Sequence, residues 1–174
     1  MRFIYSKILC TCSLLLTTNL HAAEASINLY LSGEVTEITC GVLIGDKEKK
    51  VDLGTNATNN LKKVGDRTMP VAIQFNLSNC PASGSVGVTF NGIKDVENNE
   101  LLSLDKINNS ASNIAIEISD KNKKRLPLGT KSGKLIGDVN GNISTLFYAN
   151  YIVTKGSATP GIANANAEFT ITYE

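Results

Sequence analysis

The stretch "AEFTITYE", residues 167–174, decides the fold. Phe169, Ile171 and Tyr173 fall on one face and Thr170, Thr172 and Glu174 on the other, the period of two that marks a half-buried strand. Chain ends ordinarily fray. A final strand this rich in β-branched and aromatic residues is therefore expected to be held between neighbours on both sides.

The same period recurs upstream in "INLYLSGEV", "PVAIQFNLSNC", "SVGVTFNGI", "NIAIEISD" and "NISTLFYANYIVTK". Val71, Ile73, Phe75 and Leu77 point one way in the second of these, as do Ile114, Ile116 and Ile118 in the fourth. Turn-rich pieces separate them: "TNATNN", "KDVENNE", "DKNKK" and "GDVNGN". No stretch sustains helical spacing. Many short strands joined by polar turns predict an all-β chain, a β-sandwich of immunoglobulin type. Tryptophan is absent and Cys40 sits close to the first strand, so the antibody subtype, with its inter-sheet bridge packed on a Trp, is excluded.

The first residues read as a secretory signal peptide. Arg2 and Lys7 supply a basic start, "ILCTCSLLLTTNL" an apolar run too short to cross a bilayer, and "HAAEAS" the small residues suited to cleavage between positions 22 and 25. Segment 1–23 is thus assigned as the signal, 24–35 as an N-terminal extension running into the first strand, and 36–174 as one domain. Cleavage removes Cys10, Cys12 and the single histidine, His21, leaving Cys40 and Cys80 in an oxidising compartment, where an isolated pair forms a structural disulfide. Closing a loop of that size contributes roughly 4 kcal/mol in the chain-entropy account.

Composition excludes several functions. The 17 basic and 16 acidic residues nearly cancel, which argues against a nucleic-acid partner, since counterion release needs a clustered basic surface. "DKEKK" and "DKNKKR" are expected to be solvated hairpin tips, and Glu97 and Glu100 to lie in solvated loops. Without histidine the mature chain has no Ser-His-Asp or Cys-His arrangement and too few ligands for structural zinc; no metal or cofactor is expected. "GTKSGKL" lacks phosphate-loop spacing, and "GDVNGN" lacks a calcium loop's closing glutamate; both are expected to be turns.

After cleavage the chain would begin "EASINLYLSGEV", with Ile27, Leu29 and Leu31 alternating with Asn28, Tyr30 and Ser32 and no turn ahead of them. Together with "SGEVTEITCGV", "VDLGTNATNNL", "VAIQFNLSNC" and above all "YIVTKGSATPGIANANAEFTITYE", with Gly161 and a penultimate Tyr173, the sequence resembles the type 1 fimbrial subunits, the pilins of the chaperone-usher pathway. The resemblance implies an incomplete immunoglobulin-like sandwich, the pilin fold, completed by a strand from another molecule that adds to an open sheet edge through its backbone hydrogen bonds. It implies that Phe169, Ile171, Tyr173 and Glu174, with Gly161, form the face offered to chaperone and neighbour, and that Ile27, Leu29 and Leu31 are the donor residues. The implied partners are neighbouring fimbrial subunits, a periplasmic chaperone and an outer-membrane usher. The implied location is a fimbrium on the bacterial surface, reached through the periplasm, with no insertion into the membrane. The extension before Gly33 is short, and Ile27 falls about where the family often has a glycine, which leaves room for a minor, adaptor or terminating subunit. The rival readings are a single-domain carbohydrate-binding adhesin and a periplasmic hydrolase.

Overall fold

A computed structural model describes residues 41–42, 48–80 and 84–173, all within one compact unit spanning Thr36–Glu174. The expected signal peptide, the segment 24–35 with Ile27, Leu29 and Leu31, and Cys40 and Glu174 lie outside the described residues.

Seven strands are described: β1 (Gly41–Val42), β2 (Val71–Ser78), β3 (Ser85–Gly92), β4 (Ile114–Ser119), β5 (Leu135–Ile136), β6 (Ile143–Val153) and β7 (Ala167–Tyr173). One sheet has the order β1-β2-β6-β4 and the other β5-β3-β7, antiparallel throughout. From β2 onward each connection passes to the opposite sheet, so each strand can turn its apolar row inward. "TNATNN" contains one 3-10 turn, Thr58–Asn60.

Local chemistry sets the limits of the strands. β2 starts after Pro70, which has no N–H to donate to a ladder, and stops at Asn79, whose φ of 58° breaks the extended run. "GDVNGN" forms a tight turn into β6: the Asp138 carboxylate accepts from the backbone N–H groups of Asn140 and Asn142 at 2.9 and 2.8 Å. Gly141 is needed there twice over. Its φ is +72°, and a Cβ would lie 2.5 Å from the Cys80 carbonyl oxygen, while the Cys80 N–H donates to the Gly141 oxygen at 2.8 Å. "GTKSGKL" is likewise structural, with the Ser132 hydroxyl accepting from Val88 N–H at 3.0 Å.

The core lies between the sheets. Ile73, Phe75 and Leu77 of β2 are buried as the alternation predicts. Phe75 and Phe147 from one sheet meet Phe90 and Phe169 from the other, edge to face with centroids 4.8–5.8 Å apart. Cys80 is buried with Leu77, Val86 and Ile143 and is disulfide-bonded.

Two sequence expectations need correction on the outer face of the larger sheet. All six residues of β4 are buried, not only the three isoleucines, because Leu101 covers Ala115 and Ile152. Glu117, on the face that alternation assigns to water, has a side chain only 7% exposed and receives Arg67 Nε and Arg125 Nε, each at 2.7 Å. Arg125 also donates to Glu100 at 2.9 Å. The end of "DKNKKR" and Glu100 are therefore parts of a half-buried ionic cluster rather than a solvated tip and loop. Burial alone would raise the Glu117 pKa, but the hydrogen bonds and charges of the two arginines outweigh it and hold the carboxyl below its usual range.

Candidate functional site

The two sheets do not close equally at their edges. β4 is covered on its outer side by single bridges: Leu102 exchanges both backbone hydrogen bonds with Ile116 at 2.9 Å, and Leu126 N–H donates to the Ile118 oxygen at 2.9 Å. β7 is different. It pairs along its length with β3, from Gly92↔Ala167 to Val86↔Tyr173, and no described strand borders its other side. The expectation of neighbours on both sides of this strand is met on one side among the described residues. Facing it across the sandwich, β2 is joined by β1 only at Leu77 and Ser78.

Between these edges runs a groove of about 2120 Å³. That is larger than the roughly 300–1,000 Å³ of a typical small-molecule pocket and of a size for an extended peptide. Its floor is apolar and drawn from both sheets, with Ile73, Phe75, Phe90, Ile116, Ile118 and Tyr151 among its lining. One wall is segment 48–59. The other is segment 158–169, the "ATPGIANANAEF" stretch that leads into β7.

That second wall is tightly fastened. Ala111 N–H donates to the Ile162 oxygen at 2.9 Å, Ile162 N–H to the Asn109 oxygen at 2.8 Å, and Asp105 N–H to the Asn164 oxygen at 2.7 Å. Ala158 N–H reaches the Leu61 oxygen at 2.9 Å, and the Tyr151 hydroxyl donates to the Ala163 oxygen at 2.7 Å. Gly161 permits this contact. A Cβ there would meet the backbone of Asn109, Ser110 and Ala111, at 2.5 Å from the Ser110 carbonyl carbon and 2.6 Å from the Asn109 oxygen. Gly161 thus stands in the wall ahead of β7, not in the strand itself.

Of the residues singled out on the last strand, Phe169 and Ile171 are half-buried and Tyr173 is 41% exposed. Phe169 touches the aromatic cluster, 4.8 Å from Phe75, and Ile171 packs beside Leu77, Cys80, Val86 and Ile143. Of the three, Phe169 lines the groove, and the row is not fully covered, an arrangement that suits an added strand. Sequence reasoning missed the floor residue Tyr151 and the lining from β4, because alternation marks them only as core. Nor did it mark segment 48–59, read as a hairpin tip and turn-rich stretch, as a groove wall, since "EKKVDLGTNATN" carries no strand period.

Comparisons with known proteins agree with this geometry. The fimbrial protein family profile matches residues 29–174. The fimbrial-like protein FimF of Salmonella typhimurium is 41% identical over 153 residues, 88% of this chain and 87% of that one. Among solved structures, a Burkholderia pseudomallei antigen and type I fimbria protein superposes with a TM-score of 0.60 at 26% identity, covering 79% of this chain and 90% of that one. A chaperone-usher pilus structure gives 0.66 at 18% identity, covering 87% and 97%, and at that identity bears on the fold alone. A sandwich whose last strand pairs on one side only among the described residues, an apolar-floored groove reaching the start of that strand and a family match across most of the sequence lead to one conclusion: the chain belongs to the fimbrial protein family.

Proposed function

We propose that this chain is a structural subunit of a chaperone-usher fimbria, polymerising by donor-strand exchange and without catalytic role. In this account the groove beside β7 is the acceptor, and the donor is segment 24–35 of another subunit, with Ile27, Leu29 and Leu31 entering it. Phe169, Ile171 and Tyr173, with the carboxylate of Glu174, meet a periplasmic chaperone before assembly. The signal peptide, residues 1–23, directs export; Cys40 closes the bridge to Cys80 in the periplasm; an outer-membrane usher passes the subunit to the cell surface.

The observation that carries the proposal is a last strand with a described neighbour on one side only, whose Phe169 and Ile171 are half-buried and whose Phe169 lines the apolar-floored groove. A long hydrophobic edge of this kind invites pairing with another chain. Each donor side chain fully buried there contributes roughly 1.5–3 kcal/mol, and each net backbone hydrogen bond about 0.5–1.5 kcal/mol. Several together make a joint that opens rarely.

Leu29→Asp tests the division of roles, because it changes the donor and leaves the groove intact. Incorporation into fibres should fall at least tenfold, while the amount of subunit co-purifying with the chaperone stays within twofold of the unsubstituted chain. Equal loss of both would contradict the assignment of segment 24–35 as donor.

A further inference from the structure

One residue of the groove floor reaches the groove wall through a polar group. Tyr151 stands on the floor, 9% exposed, and its hydroxyl crosses to the opposite sheet's wall to donate to the Ala163 oxygen at 2.7 Å. Its own backbone is fixed. Thr68 N–H donates to the Tyr151 oxygen at 3.0 Å, and Tyr151 N–H donates to the Thr68 hydroxyl at 3.0 Å. The bonds of Ile162 and Asn164 run instead to Asn109, Ala111 and Asp105, which ties the wall to its own neighbouring loop rather than to the floor.

We propose that Tyr151 is a positioning residue for the acceptor groove: its hydroxyl holds the Ala163 wall at the distance an incoming strand requires, so that the groove is formed before the strand arrives. This rests on the donor-strand reading above. The physical reason is preorganisation: with the hydroxyl bond made, the wall's distance from the floor is already set, whereas without it the wall keeps its bonds to residues 105–111 but the donor must itself set that distance. Burial, together with the negative charge of Asp52 on the other wall, raises the Tyr151 pKa, so the hydroxyl remains a donor at neutral pH.

Tyr151→Phe removes the hydroxyl and keeps the ring. The probes are synthetic peptides carrying residues 24–35 of this chain and the N-terminal segments of its fimbrial relatives, titrated against purified subunit. For whichever peptide binds the unsubstituted subunit, Tyr151→Phe should raise Kd by about threefold to tenfold, the value of one buried hydrogen bond. A bond serving only the fold is lost alike from free and bound protein, so it would lower both melting midpoints and leave Kd unchanged; that result overturns the proposal. If the variant folds only with peptide present, the release rate from the refolded complex is read instead, and should rise by the same factor. Failure to fold in either form would mark Tyr151 as structural and also overturns it. Absence of binding by every peptide to the unsubstituted subunit would contradict the donor-strand reading itself, an outcome distinct from equal binding by the two proteins.

Discussion

Phe75→Ala is expected to lower the unfolding free energy by about 3–5 kcal/mol, the range for deleting a fully buried aromatic ring. Phe75 is 2% exposed and touches Phe90, Phe147 and Phe169 edge to face, at 5.8, 5.5 and 4.8 Å. Its ring lines the groove and, with that of Phe147, joins the two sheets. The loss has two parts, the transfer of the ring from the core and the void left among three rings whose strands are fixed by pairing. Those neighbours cannot collapse far: Phe90 is paired with Phe169 across β3 and β7, and Phe147 with Ile73 across β6 and β2. Urea unfolding of the peptide-bound subunit measures it, as a fall in midpoint at an unchanged slope. A loss below about 1 kcal/mol would show that the rings do not carry the contact between sheets.

Glu117→Gln should destabilise by about 2 kcal/mol at neutral pH: both carboxylate oxygens accept from arginine, so the Gln oxygen keeps that bonding in weaker form on one side while the amide NH2, itself a donor, cannot accept on the other. The full penalty of a broken buried ion pair is not expected, because Arg67 and Arg125 have side chains 49% and 28% exposed and can regain water. The pH dependence follows from the direction of the Glu117 shift. Its folded pKa lies below the ordinary value of 4.5, so between the two values the unfolded chain binds the extra proton and stability rises with pH. The contribution is complete above about pH 4.5, and fades as pH falls through the folded pKa. Acid unfolding of Glu117→Gln should lack that part of the slope. Superimposable slopes for the two proteins would mean that Glu117 is not held ionised by its arginines.

The strands were readable where alternation is long. β2, β3, β6 and β7 fall within the stretches whose apolar residues recur every second position, and the all-β class follows from them. β5 was not readable, since Leu135–Ile136 is too short to show a period. Glu117 gave no signal for a different reason. A charged residue between Ile116 and Ile118 looks like the wet face of a strand, and nothing local announces that Arg67, 50 positions earlier, and Leu101 will cover that face. Neither was Tyr151 distinguishable from an ordinary core tyrosine, because the partner of its hydroxyl is a backbone oxygen.

The groove itself marks the limit of periodicity. Alternation in residues 167–174 shows that a strand exists and which face is apolar; it does not count that strand's neighbours. The resemblance to fimbrial subunits supplied the expectation of a missing strand, and the pairing of β7 with β3 alone, among the described residues, agrees with it. "ATPGIANANA" was likewise recognisable as a motif before its physical role was. It is the groove wall, and Gly161 is required where that wall lies against Asn109, Ser110 and Ala111.

The most direct test of a sandwich finished by another molecule is thermal melting of the purified subunit with and without donor peptide, residues 24–35 and the equivalent segments of fimbrial relatives serving as donors. At a peptide concentration about a hundredfold above Kd, linkage gives about 2.7 kcal/mol, a rise in Tm of roughly 5–10 °C for a domain of this size. The same peptide with aspartate in place of leucine at the position of Leu29 should give little or none. A cooperative melt that no donor peptide raises would contradict an acceptor groove beside β7.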